Sequence, residues 1–134
     1  MIMAVISGDG VFSHTMIGAR DVATSAKFYD AALGALGVKN LGPFGEWILY
    51  GRDKPAFIVA RPGNGEAPSS NGVTLGFAAA TTAEVDAFHA AGLAAGGTDE
   101  GAAGPRSHLP GAYAAYLRDP AGNKVCAYTF TDDN

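Results

Sequence analysis

The side chains best suited to chemistry in this chain are a few histidines and one cysteine. His14 lies in an alternating segment near the beginning of the sequence, and Cys126 lies in another near the end. An imidazole can bind a metal ion, act as a general base or hydrogen-bond in a pocket. A thiolate can be a nucleophile or a metal ligand, but no basic residue adjoins Cys126 to favour that form. Both are therefore candidate catalytic residues, with a pocket histidine and an inert buried thiol as the alternatives.

A second group of candidates lies in a glycine- and proline-rich loop that contains Arg106 and His108. An arginine fork in such a loop can clamp a carboxylate or phosphate group. The alternative is a solvated loop, and the sequence favours neither. His108 lies close enough to the same predicted rim to be a candidate beside Arg106.

Several large aromatic side chains alternate along predicted strands, so some of them must face a ligand cavity. Such walls suit a planar or apolar ligand, and tyrosine hydroxyls would orient it. The alternative is that these rings pack beneath helices. The residues concerned are Trp47, Tyr113, Tyr116 and Tyr128.

Composition excludes some classes of partner. The 134 residues carry a formal net charge of −4 and contain no lysine–arginine cluster, so neither nucleic acid nor an anionic membrane surface is expected as a partner. No apolar run approaches the roughly 20 residues that a membrane span needs. One cysteine cannot form an internal disulfide, so a cytoplasmic location is expected.

The elements that must position these residues are repeated along the chain. With a shift of 60 residues, Ser13–Gly37 overlies Val73–Gly97 with seven identities, which include Phe28 with Phe88. Further on, Tyr50-Gly-Arg-Asp53 matches Tyr116-Leu-Arg-Asp119. The predicted strands and helices repeat along with the residue identities, which favours two diverged copies of one unit.

Each copy is predicted to begin with a strand and a helix. Residues 11–17 and 73–77 alternate, with His14 on the same face as Phe12 and Met16, and with Thr74 on the face opposite its apolar neighbours. Asp21 is a predicted N-cap for the first helix. Thr81 and Glu84 form a predicted capping box for the second helix. Gly37 and Gly97 are predicted left-handed residues at the two helix ends.

Two or three further strands are predicted to close each copy. They include Trp47–Tyr50 and Phe57–Ala60 in the first copy, and Tyr113–Leu117 and Val125–Phe130 in the second. The sequence thus predicts one α+β domain over residues 1–134. Two βαβββ modules, at about 11–61 and 73–130, flank a linker at about 62–72. Their eight strands are expected to form an open, cup-like sheet with the helices outside.

Two parts of the sequence resemble a known family. The first comprises Phe12-Ser-His-Thr15, Phe28-Tyr-Asp30 and Leu33-Gly-Ala-Leu-Gly37, and the second is the hairpin Tyr116-Leu-Arg-Asp-Pro-Ala-Gly-Asn-Lys124. They resemble the two modules of the vicinal oxygen chelate superfamily, which includes glyoxalases, bleomycin resistance proteins and extradiol dioxygenases. The resemblance covers about residues 12–130.

The resemblance also implies where a metal would bind. In the superfamily a divalent ion is held by side chains from the first strands of the modules, usually histidines, and from the last strands, commonly glutamates. The corresponding positions here hold His14, Thr74, Ile58 (Val59 after a one-residue slip) and Cys126. Isoleucine cannot bind a metal, and a His/Cys pair alone does not complete a zinc site. No cofactor is therefore expected, and His14 is the only matching ligand position.

These expectations leave three functions open. The first is a glyoxalase/bleomycin resistance/dioxygenase-family protein that binds a small, partly aromatic or apolar molecule in its cup, with the metal site largely lost. The second is a lyase, isomerase or dioxygenase with a rebuilt site that uses His14, Cys126 and His108. The third is a non-catalytic protein-interaction module. The linker also permits a homodimer. The predicted substrate-binding residues are His14, Trp47, Thr74, Arg106, His108, Tyr113, Tyr116, Cys126 and Tyr128.

Overall fold

A computed structural model describes residues 13–130, in which the strand–helix–three-strand order occurs twice. Of the predicted first strand, Val11 and Phe12 lie outside the described residues. No helix within 13–130 has the length and apolar character needed to cross a membrane. The elements are β1 Thr15–Gly18, α1 Val22–Gly34, β2 Lys39–Phe44, β3 Trp47–Gly51, β4 Phe57–Ala60, β5 Thr74–Ala78, α2 Thr82–Ala94, β6 Thr98–Pro105, β7 Ala112–Arg118 and β8 Lys124–Phe130.

The strands form two four-stranded sheets of the same topology. The first sheet has the order β1-β4-β3-β2 and the second has the order β5-β8-β7-β6. In each, the first strand of the module pairs in parallel with the last, and the other pairings are antiparallel. Met16 pairs with Ile58 in one sheet, and Gly76 pairs with Cys126 in the other. The predicted α+β fold of two βαβββ modules is confirmed.

The predicted N-caps of both helices are present, with one difference. Asp21 accepts a hydrogen bond from the backbone N–H of Thr24 at 2.9 Å, and Thr81 Oγ accepts one from Glu84 N–H at 3.1 Å. The carboxylate of Glu84, however, accepts from the N–H of Ala80 at 2.8 Å rather than from that of Thr81. The capping box is therefore displaced by one residue on its carboxylate side.

The prediction for the helix ends is right in the first copy and wrong in the second. Gly37 has a φ of 79°, as expected, but in the second copy the left-handed residue is Gly96, with a φ of 105°. Gly97 is needed for a different reason: a Cβ there would lie 2.4 Å from Cε1 of Phe28. The lack of a side chain at Gly97 therefore lets Phe28 of the first module pack closely against the second module.

One hydrophobic core fills the space between the helices and both sheets. Phe28 and Phe88, predicted as core residues, are fully buried in it, and the ring of Phe57 lies 5.2 Å from that of Phe77 in an edge-to-face contact across the modules. Leu75 and Phe77 pack against this core, whereas Thr74 and Gly76 point away, as the alternation predicted. The outward faces of the strands are thus left for a site.

Reciprocal hydrogen bonds join the two modules. Asn123 Nδ2 donates to the backbone carbonyl of Gly18 at 2.9 Å, and Arg52 donates to that of Ala78 at 3.2 Å. Gly18 and Ala78 are equivalent positions under the 60-residue shift, each ending the first strand of its module. The turn before the last strand of each module therefore holds the first strand of the other.

The bounds of two strands, β2 and β6, were not predicted. Both carry glycine and proline, and both contain register shifts, at Asn40/Gly42 and between Asp99 and Gly104. These irregularities disturb the period-two alternation by which a strand is recognised. Residues 61–73, which span the predicted linker, contain no helix or strand.

Candidate binding site

The outward face of the second sheet brings polar and aromatic side chains together. Tyr116 on β7 lies directly opposite Cys126 on β8, and Thr74 on β5 lies beside Lys124 on β8. Because side chains alternate along a strand, Lys124, Cys126 and Tyr128 point to one side. The helices cover the other side, where Val125 and Ala127 are buried. Together with Arg106, the residues on this outward face form what we call the second-sheet site: Thr74, Arg106, Tyr116, Lys124, Cys126 and Tyr128.

An open pocket of about 580 Å³ lies on this face. The residues that line it are Thr74, Glu100, Gly101, Ala102, Arg106, Tyr116 and Lys124. The volume falls in the range of small-molecule pockets. Thr74, Arg106 and Tyr116 were predicted from the sequence as substrate-binding residues, and the structure places all three in this pocket.

Arg106 is held in place by the loop that carries it. Its guanidinium donates to the backbone carbonyls of Ala102 at 2.9 Å, Gly104 at 3.1 Å and Pro105 at 3.3 Å. The same group lies 5.4 Å from the ring centroid of Tyr116, a cation–π distance. The prediction left a ligand clamp and a solvated arginine open, and the structure shows an arginine that is hydrogen-bonded to its own loop at the pocket wall.

Sequence reasoning missed Lys124. Its ammonium lies 5.2 Å from the ring centroid of the same Tyr116. The available signal was the alternation along the last strand, which places Lys124 on the same face as Cys126 and Tyr128.

Tyr116 and Tyr128 form a pair beside the pocket. Their hydroxyl groups are hydrogen-bonded to each other, and their rings meet edge to face with centroids 5.8 Å apart. Burial and the bond to Tyr128 raise the pKa of Tyr116 well above its ordinary value. Tyr116 is therefore a neutral phenol at physiological pH, able to donate or accept a hydrogen bond.

Cys126, which pairs with Tyr116 across the strands, is a buried thiol with 3% of its surface exposed. Burial raises the pKa of Cys126 to about 11, and the nearby Lys124 and Arg106 oppose this only in part. At pH 7 a thiol with that pKa is ionised in about one molecule in ten thousand. This supports the inert thiol over the nucleophile.

The alkylation rate of Cys126 should therefore be low and strongly pH-dependent. Relative to an ordinary cysteine, the thiolate fraction is about a hundredfold lower, and the greater nucleophilicity of a basic thiolate recovers about tenfold. We expect native protein to react with iodoacetamide at least about tenfold more slowly than urea-unfolded protein at pH 7, with a rate that still rises between pH 9 and 10.5. Mass spectrometry reads this directly because the chain has one cysteine. A rate that levels off below pH 9 would contradict the assignment.

The first sheet presents an apolar face instead. Ile58 is fully buried and clusters with Leu49 and Ala60, and Trp47 packs against this cluster as a half-buried side chain. His14 is half-buried before β1, and its Nδ1 lies 2.9 Å from Oγ of Ser13. The structure does not place Trp47 or His14 among the residues that line the second-sheet pocket.

Two further predicted residues also lie apart from the pocket. Tyr113 faces the helix side of β7, where its hydroxyl donates to Asp86 at 2.6 Å and its ring packs against the core. Tyr113 and Tyr116 are three residues apart on β7, so their side chains lie on opposite sides of the sheet. Tyr113 therefore does not face the cup, where it was predicted to lie. His108 is exposed in the loop between β6 and β7 and is not part of the pocket wall.

The described residues do not assemble a set of metal ligands. Over residues 13–130, no three histidine, cysteine, aspartate or glutamate side chains come together in a way that could hold one ion. Of the four positions that the resemblance assigned to ligands, Ile58 is buried and has no electron-pair donor in its side chain. Thr74 and Cys126 lie on the second sheet, and His14 lies beside the first.

Comparison with known proteins gives matches over nearly the whole chain. A family model described as a glyoxalase-like domain matches residues 14–128. The chain is similar to the crystal structure of a glyoxalase/bleomycin resistance protein from Albidiferax ferrireducens T118, with 45% identity, a TM-score of 0.79 and coverage of 87% of this chain and 96% of that one. No protein among those with curated functions gives a match.

More distant structures share the fold. A glyoxalase-related enzyme from Fulvimarina pelagi has 21% identity and a TM-score of 0.68, with coverage of 86% of this chain and 85% of that one. A glyoxalase/bleomycin resistance protein/dioxygenase family enzyme from Burkholderia phytofirmans PsJN has 19% identity and a TM-score of 0.67, with coverage of 87% and 95%. At these identities the likeness concerns the fold alone.

Proposed function

Because the chain belongs to the glyoxalase-like domain family, we propose that it binds a small, partly aromatic or apolar molecule on the outward face of its second sheet. The observation that carries this proposal is the pocket of about 580 Å³ walled by Tyr116, Thr74 and Arg106. The Tyr116 ring offers a flat apolar surface, and the hydroxyl and guanidinium groups offer directional hydrogen bonds. This combination is typical of small-molecule sites.

We further propose that binding does not depend on a divalent metal. The residues present do not fit such an ion, because the position of one expected ligand holds the buried Ile58. The thiol of Cys126 would have to lose its proton against a raised pKa to become a ligand. His14 and Thr74 supply at most one strong and one weak neutral donor, which is fewer than a catalytic zinc site uses.

The same geometry favours binding over a rebuilt active site. The two predicted catalytic residues were His14 and Cys126. Cys126 is a protonated thiol, and the contact that the structure gives His14 is with Ser13, beside the first sheet. A nucleophile and its base must lie within hydrogen-bond reach of each other. Among the described residues no hydrogen bond joins His14 to Cys126, which favours a binding site over a nucleophile–base pair.

A thermal-shift screen of small aromatic compounds tests the proposed site. A ligand at ten times its Kd stabilises the folded state by about 1.4 kcal/mol, which should raise the Tm by about 3–5 °C. We expect Tyr116→Leu to abolish this rise. The matched control Tyr113→Leu, which alters the opposite face of the same strand, should preserve it. A panel in which no compound raises the Tm, or in which Tyr116→Leu leaves the rise intact, would contradict the proposal.

A further inference from the structure

Two cations converge on one aromatic ring in the second-sheet site. The Arg106 guanidinium and the Lys124 ammonium lie 5.4 and 5.2 Å from the ring centroid of Tyr116. In the part of the chain that the structure describes, neither is in a salt bridge. The carboxylate at the pocket wall, Glu100, is paired with Arg118 at 3.2 Å. The pocket therefore has a local surplus of positive charge in a chain whose net charge is −4.

This surplus selects the charge of the ligand. A cationic ligand would be repelled by both groups, and the Tyr116 ring that could attract it already faces two cations. A monoanion gains from both.

The arrangement of donors also suits a carboxylate. Nη1 and Nη2 of Arg106 donate to three backbone carbonyls, so the group is held in position, and among the described residues Nε has no hydrogen-bond partner and is left for a ligand. Thr74 lies directly beside Lys124 in the strand register and adds a neutral hydroxyl donor. Because Arg106 is already immobilised, binding costs little further side-chain entropy there.

We propose that the second-sheet site recognises organic monocarboxylates, with the carboxylate held by Lys124 and Arg106 and the apolar body lying against Tyr116. This deepens the proposed function and rests on it. Lys124 is the specificity-determining residue. Its ammonium supplies positive charge and makes no hydrogen bond or salt bridge with the described residues, so its charge is available to a ligand. Arg106 also fastens its own loop.

The test is a titration of ¹⁵N-labelled protein with benzoate and, separately, with its neutral analogue benzamide. A ligand of this size binds with a Kd on the order of 1 mM, which amide chemical shifts measure well. We expect benzamide to bind about tenfold more weakly than benzoate. Lys124→Met should weaken benzoate about tenfold and benzamide much less, and added salt should weaken benzoate alone. Lys27→Met, an exposed lysine on α1, is the matched control and should change neither.

The possible results separate the two proposals. If both compounds bind equally and Lys124→Met has no effect, while Tyr116→Leu abolishes binding, the carboxylate inference is overturned and the small-molecule site stands. If benzoate shifts no amide of β5, β7 or β8 at 20 mM, the inference is also overturned, and the thermal-shift screen decides the site independently. Unchanged backbone spectra of the free variants show that each is folded.

Discussion

Gly51→Ala should lower the free energy of unfolding by about 4 kcal/mol or more, enough to unfold much of the protein at 37 °C. A Cβ at this position would lie 1.7 Å from the carbonyl oxygen of Lys54 and 2.7 Å from its carbonyl carbon. Both are backbone atoms, so no side-chain rotation relieves the overlap. The turn from β3 to β4 would have to open, and the hydrogen bond from Ala56 N–H to the Tyr50 carbonyl at 2.9 Å would be lost.

Urea denaturation followed by circular dichroism measures this effect. The matched control is Gly63→Ala, at an exposed glycine where an added Cβ meets nothing within 4 Å, and its change should stay within about 0.5 kcal/mol. A Gly51→Ala protein as stable as the control would mean that this turn does not pack as described.

Asp119→Ala is expected to cost about 3 kcal/mol. The carboxylate of Asp119 is buried and accepts four hydrogen bonds: from Tyr29 Oη at 2.7 Å, Ala121 N–H at 2.8 Å, and Asn123 N–H and Nδ2 at 2.9 Å each. Removing it leaves buried donors without an acceptor, each of which costs about 1–3 kcal/mol, although the losses do not add fully. Since Asn123 also holds Gly18 of the other module, the substitution loosens the contact between modules as well as the turn.

The control for Asp119 is supplied by the repeat itself. Asp53 is its sequence equivalent in the first module and is exposed, so Asp53→Ala should cost less than about 0.5 kcal/mol. Tyr29→Phe, which removes one of the four bonds to Asp119, should cost about 1 kcal/mol. Thermal and urea unfolding of the three variants gives the ranking. Equal losses at the two aspartates would refute the claim that Asp119 joins the modules.

Gly51 and Asp119 show how much of the structure could be predicted from the internal repeat. The shift of 60 residues predicted the module order and the parity of both first strands, because those features depend on local alternation and capping. A slightly larger shift, of 66 residues, matched Arg52-Asp53 with Arg118-Asp119 as turn residues. It could not show that only Asp119 is buried, or that Gly51 is required where the second module has Leu117, because both depend on contacts made after the chain has folded.

The residues of the candidate site were predictable to the extent that strand parity was followed. Thr74, Arg106, Tyr116, Cys126 and Tyr128 were identified from the sequence and lie together on the second-sheet face. The same alternation would have placed Lys124 with them and Tyr113 on the helix side. The apolar packing of Trp47 and Ile58 on the first sheet was beyond reach, because adjacent strands must be paired before such a cluster is visible.

The most direct test of the binding account is a chemical-shift titration of ¹⁵N-labelled, EDTA-treated protein with the compound that gives the largest thermal shift. We predict a saturable change centred on the amides of Thr74, Tyr116, Lys124 and Cys126, with the same Kd before and after EDTA treatment. Changes centred on the first sheet, or binding that returns only when a divalent cation is added back, would contradict it.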